Sequence, residues 1–143
     1  MERTVLIHNL LKEIEEKKKR YSKKEYQLKK LEDVSEAIIT ALSSIGVTVN
    51  IVSLTTMNPI LLIMGTVLCA SSTVLSAIKK TLNIQSKYQS VKTTHNQLSD
   101  LLLESKIIIT RNHLSSDDKK ELLDNLKNKL SLIEDSALPI SGK

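Results

Sequence analysis

Between Glu36 and Lys79 the chain runs for 42 residues without an Asp, Glu, Lys, Arg or His, although the remainder of its 143 residues is densely charged. A helix that crosses a hydrocarbon layer about 30 Å thick needs ~20 apolar residues. Met57-Asn58-Pro59 divides the block into two stretches of that size. Two such spans joined by a tight turn make a membrane hairpin with both charged arms on one side. A chain with three Gly, two Pro and no Phe or Trp has too few turn residues to separate many short strands, so an all-α fold is expected.

The arms carry a countable seam. Ile7, Leu10, Ile14, Lys17, Tyr21, Lys24, Leu28 and Leu31 recur at alternating three- and four-residue spacing, the pattern of a coiled-coil face. The register continues through Ser35, Ile38, Leu42, Ile45, Val49 and Val52, which predicts one helix from Val5 to Thr56, roughly 75 Å long at the helical rise. Beyond the turn, Ile63, Val67, Ala70, Val74, Ala77, Thr81, Ile84, Tyr88, Val91, His95, Leu98, Leu102, Ser105 and Ile109 keep the same spacing. Asn58 suits the cap of this second helix and Pro59 its first turn. Antiparallel pairing about Asn58-Pro59 sets Ile38 near Lys79 and Ile7 near Arg111. The pattern stops at Arg111-Asn112-His113. Ser115 or Ser116, followed by Asp117-Asp118, then opens an amphipathic helix with Leu122, Leu123, Leu126, Leu130 and Ile133 on one face.

The expected fold is therefore a long antiparallel helical hairpin, two transmembrane segments continuing into a cytosolic coiled-coil stem, with a short C-terminal helix. Its parts are a basic arm over 1–36, a two-span hairpin over 37–78 turning at 57–59, a return arm over 79–111, an amphipathic helix over 115–135 and a flexible tail over 136–143. The block also holds twelve Ser/Thr and two Asn, so a soluble helical bundle with a charge-free core is the competing reading. Against it, an exposed helix face carries charges every few residues, and neither segment has one. The turn lacks Lys and Arg, whereas Lys29, Lys30, Lys79 and Lys80 flank the block, so both termini are expected in the cytosol. The first apolar run follows 36 charge-rich residues, unlike a cleaved signal, and is expected to serve as its own insertion signal.

No catalytic set emerges. His8, His95 and His113 are scattered, and none stands at metal-ligand spacing from a Cys or acid. Cys69, the one cysteine, reads as a small apolar residue. There is no phosphate loop and no nucleophile elbow. A non-enzymatic protein without cofactor or metal is expected. The net charge of +5 favours an anionic membrane surface over nucleic acid, since the aromatics that interleave basic residues in nucleic-acid modules are missing. On a helical wheel Gly65, Thr66, Cys69, Ser72, Thr73 and Ser76 share one side of the second span, and Ser43, Asn50 and Ser53 are compatibly spaced on the first. Small and hydroxylated residues let membrane helices approach closely. These nine residues are the candidate face for a homo-oligomer or a pore, or for packing within a single hairpin.

The arrangement resembles the two-transmembrane SLATT domains. The shared features are a basic helix with Tyr entering the first span (Arg20-Tyr21-Ser22-Lys23-Lys24), a short turn, and a long helix after the second span containing Tyr88 and Leu98-Ser99-Asp100-Leu101-Leu102-Leu103-Glu104. The resemblance implies a pore-forming effector acting in the membrane beside a cytosolic sensor partner, and it assigns no individual residue. A viral or mobile-element membrane anchor and a soluble scaffold are the alternatives.

Overall fold

The computed structural model describes residues 2–110 and 115–137. Among them the chain is all helix: α1 (Glu2–Thr56), α2 (Pro59–Thr81), α3 (Ile84–Thr110) and α4 (Ser116–Ser136). Arg111 and His113, and residues 138–143 of the expected tail, lie outside the described residues. The chain forms two compact units, Met1–Gln27 with Lys87–Lys143, and Leu28–Ser86.

The first unit is a three-helix bundle. The stripe read from the sequence is its core: Ile7, Ile14 and Tyr21 of α1 and Val91, Leu98 and Leu102 of α3 are buried. Antiparallel pairing is fixed by Lys106 Nζ at 2.6 Å from Glu15 and His95 Nδ1 at 2.7 Å from Glu25. Helix α4 closes the bundle with Leu122, Leu123, Leu126 and Leu130 buried, and the Lys17–Glu134 ion pair joins its C-terminal end to α1. A helix of 21 residues has little stability alone, so this face holds it in place. Its start is a capping box. Asp118 N–H donates to Ser115 Oγ at 3.1 Å, and Ser115 N–H donates to Asp118 Oδ2 at 2.9 Å.

The second unit is a helical hairpin formed by α1 from Leu28 onward and α2. Thr56 ends α1, and Met57 takes the left-handed conformation at φ 50°. Asn58 N–H then reaches back to Ser53 C=O at 3.2 Å, the long closing bond of a Schellman motif. Asn58 also caps α2, its side chain accepting from Ile60 N–H at 3.0 Å, with Pro59 in the first turn. Two residues thus end one helix and begin the next, as the sequence led one to expect.

Two expectations for this unit are corrected. Most of the continuous 3-4 stripe does not face the partner helix here. Ile38, Ile45, Val52, Ile63, Val67 and Val74 point outward, and Leu42 and Val49 are half-buried. The residues buried along α1 and α2 within this unit are Gly46, Ser53, Gly65 and Ser72, with the stripe residue Ile84 buried at the start of α3. The physical reason is that every face of these segments is apolar. No polar-to-apolar contrast selects an inward side, and the residues that allow the backbones closest together select it instead. The return arm is also not one helix. Leu82 and Asn83 separate α2 from α3, with Asn83 left-handed at φ 49° and its N–H donating to Lys80 C=O at 3.1 Å. Asn tolerates this conformation better than other residues with a Cβ. Lys79 approaches Glu36 at 3.6 Å, two residues from Ile38.

Candidate functional site

The crossing of α1 and α2 is built around Gly46 and Gly65. A Cβ placed on Gly46 would lie 2.7 Å from Cys69 Sγ and 3.1 Å from Gly65 O, and one on Gly65 would lie 2.9 Å from Gly46 O and 2.7 Å from Asn50 Cγ. Side chains at either position would thus meet the Cys69 or Asn50 side chain first and the facing backbone next, so the close approach of the helices requires glycine at both. Asn50 lies over Gly65, its Nδ2 3.9 Å from Cys69 Sγ. Its Oδ1 is the one buried side-chain nitrogen or oxygen without a hydrogen-bond partner among the described residues.

The nine candidate residues divide. Ser53, Gly65 and Ser72 are buried between the two helices, and Ser43, Asn50 and Cys69 are half-buried along the same line, whereas Thr66, Thr73 and Ser76 are exposed. Gly46 belongs to the crossing and was missed by the sequence reading, although it is the only glycine before the turn. Spacing supplied a signal, because Gly46 precedes Asn50 by four residues as Gly65 precedes Cys69. The hydroxyls on both sides look inward to their own helices. Thr48 donates to Ser44 C=O, Thr66 to Leu62 C=O, Ser71 to Val67 C=O and Thr73 to Cys69 C=O at 2.8 to 3.0 Å.

In the bundle unit the polar residues tie helices together. Burial opposes the charge on Lys17, but its hydrogen bonds to Glu13 and Glu134 outweigh this and hold its pKa above the ordinary lysine value. Burial, with Glu134 nearby, pushes the Tyr21 phenol up. The hydrogen bond from Lys106 lowers the Glu15 carboxyl. No group of three or more His, Cys, Asp or Glu side chains among the described residues is placed to hold a metal ion. The flanking residues Lys29, Lys30 and Lys80 are exposed, and Lys79 is half-buried beside Glu36.

The chain matches no known protein family, no curated protein and no solved structure. The charge-free stretches of α1 and α2 are each long and apolar enough to cross a membrane. One unit is a tightly closed helical pair with an apolar exterior, and the other is a charged, well-tied bundle.

Proposed function

We propose that this protein is an integral membrane hairpin that holds a three-helix bundle at the cytosolic surface, where the bundle engages its partners. The observation that carries the reading is the outward direction of the apolar side chains. Ile45, Val67 and Val74 are 53 to 58% exposed, in company with Ile51, Leu54, Ile60 and Ile63. A soluble bundle buries such residues, because each one exposed forfeits about 1.5–3 kcal/mol of hydrophobic stabilisation. Residues 37–56 and 59–78 each rise about 30 Å as helix, the thickness of the hydrocarbon layer. The Ser and Thr content that favoured a soluble core is compatible with lipid, since hydroxyls bonded to their own helix carbonyls leave no donor unsatisfied.

Membrane fractionation with cysteine mapping tests this. Wild-type protein stays with carbonate-washed membranes. In a Cys69→Ser background, Met57→Cys reacts with an impermeant maleimide from outside the cell, and Lys23→Cys reacts only after the membrane is opened. Recovery in the soluble fraction without detergent overturns the proposal. Labelling of Lys23→Cys in intact cells overturns the orientation.

A second reading, a pore-forming effector of the SLATT kind, draws support from the exposure of Thr66, Thr73 and Ser76 on one side of α2. It predicts dye release from liposomes by wild type and loss of release in Thr66→Val/Thr73→Val. Equal or absent release in both removes it.

A further inference from the structure

We infer that copies of this chain associate head to tail through two oppositely charged faces of the bundle, the outer face of α1 in one copy meeting the outer face of α4 in the next. The two faces point away from the bundle core. On α1, Glu16, Lys19, Arg20, Lys23 and Tyr26 line a common exposed surface, and Lys12 lies on the same side by the helical repeat. On α4 the corresponding surface is lined by Asp117, Lys120, Glu121, Asp124, Asn125 and Asn128, and Asp135 continues it. Each face has a single member of the wrong sign, Glu16 on one and Lys120 on the other. Elsewhere in the bundle most acids are tied to bases, Glu15 to Lys106, Glu104 to Lys129 and Glu134 to Lys17, with Asp100 of α3 an exposed exception. Among the described residues, Lys12, Lys19, Lys23, Asp124 and Asp135 take part in no ion pair within their own copy.

The levels of the charges meet at one end of the two faces. Lys106 pairs with Glu15, Lys129 with Glu104, and Glu134 with Lys17, so α4 runs in the same sense as α1 with an offset of 117 residues at the Lys17–Glu134 contact. At that offset Asp135 stands within one residue of the level of Lys19, and Asp124 stands level with Ile7, about 7.5 Å along the axis from Lys12. Copies anchored in one membrane share one polarity, and in this respect the inference rests on the membrane reading. The contact is heterologous, so it closes into a ring or extends into an array. Exposed ion pairs are individually weak, and confinement to the membrane surface raises the effective concentration at which they act.

Charge reversal with mixing tests it. One variant carries Lys12→Glu, Lys19→Glu and Lys23→Glu, and the other Glu121→Lys, Asp124→Lys and Asp135→Lys. Both are made with light and heavy isotopes, reconstituted, and treated with a zero-length carbodiimide cross-linker. Wild type yields cross-links between light and heavy copies, including Lys19 to Asp135. Each variant alone loses roughly tenfold in yield, about what three exposed pairs supply. Mixing the two variants restores it, because every contact in an alternating assembly is again between opposite charges. Unchanged helicity by circular dichroism accompanies both variants, since the substituted side chains face solvent. Absence of cross-links between wild-type copies, undiminished yield in the single variants, or no recovery on mixing overturns the inference. Recovery of the chain without membranes counts against the membrane reading alone, since the mixing experiment reads the contact in either phase.

Discussion

At Gly65 a single methyl group decides whether the hairpin closes. The Cβ of Gly65→Ala would run into the Asn50 side chain and within 2.9 Å of Gly46 O, so α1 and α2 must separate. The expected loss is about 1–3 kcal/mol of hairpin stability, the range for overpacking a tight site, read by reversible unfolding of the purified protein in mixed micelles. Gly46→Ala meets Cys69 Sγ at 2.7 Å, which rotation of the thiol relieves, and backbone atoms of Cys69 and Gly65 only at 3.1 Å, so it is expected to lose less. Asn50→Ala removes an unpartnered carbonyl oxygen along with the atoms that crowd Gly65. The double variant Asn50→Ala/Gly65→Ala is therefore expected to recover about 1 kcal/mol relative to additivity. An additive result would show that the backbone contact with Gly46 O dominates.

The termini of the helices make predictions of their own. Met57 occupies a left-handed position that disfavours a side chain by roughly 1–2 kcal/mol. Met57→Gly is expected to stabilise the reversal by about 1 kcal/mol or less, since glycine also gains freedom in the unfolded chain. The cap of α4 responds to acid. The Ser115 backbone N–H, with the Ser115 side chain, holds the Asp118 carboxyl below its ordinary value, and Lys106 does the same for Glu15. Both contributions are fully present above the unfolded carboxyl pKa, about 4, and are lost as pH falls through the lowered folded values. Amide protection in the first turn of α4, taken relative to the unstructured rate at each pH, is expected to fall below about pH 4 in wild type, and Asp118→Ala is expected to show the lower protection already at neutral pH. The elements most legible in the sequence are those with contrast. Ile14, Val91 and Leu98 were identifiable as core because charged residues occupy the other faces of their helices. Ile45 and Val67 fit the same spacing yet face outward, because a helix that is apolar all round carries no such information. The Leu82-Asn83 break was equally hidden, since one left-handed Asn leaves the spacing of Thr81 and Ile84 undisturbed.

For the whole molecule, the two solvents of the proposed arrangement divide the labour. Val67→Lys and Val74→Lys alter exposed positions. In water such changes stay within about 0.5 kcal/mol, whereas near the middle of a membrane span, where Val67 lies, a lysine is unfavourable by about 2.5–3.5 kcal/mol, and less so at Val74 nearer the span's end. Loss of the carbonate-resistant fraction in these variants, with wild-type behaviour for Lys23→Gln, is the expected pattern, and retention by all of them contradicts insertion. The inward turn of the hydroxyls has a further meaning for such a molecule. Thr48, Thr66, Ser71 and Thr73 already donate their hydroxyl hydrogen bonds to carbonyls of their own helices. Along these four positions the hairpin offers a neighbour no free donor: a copy met there is met by shape. Thr40, Ser44 and Ser76, exposed and without such a bond among the described residues, are the places where a neighbouring helix could be met by a hydroxyl instead.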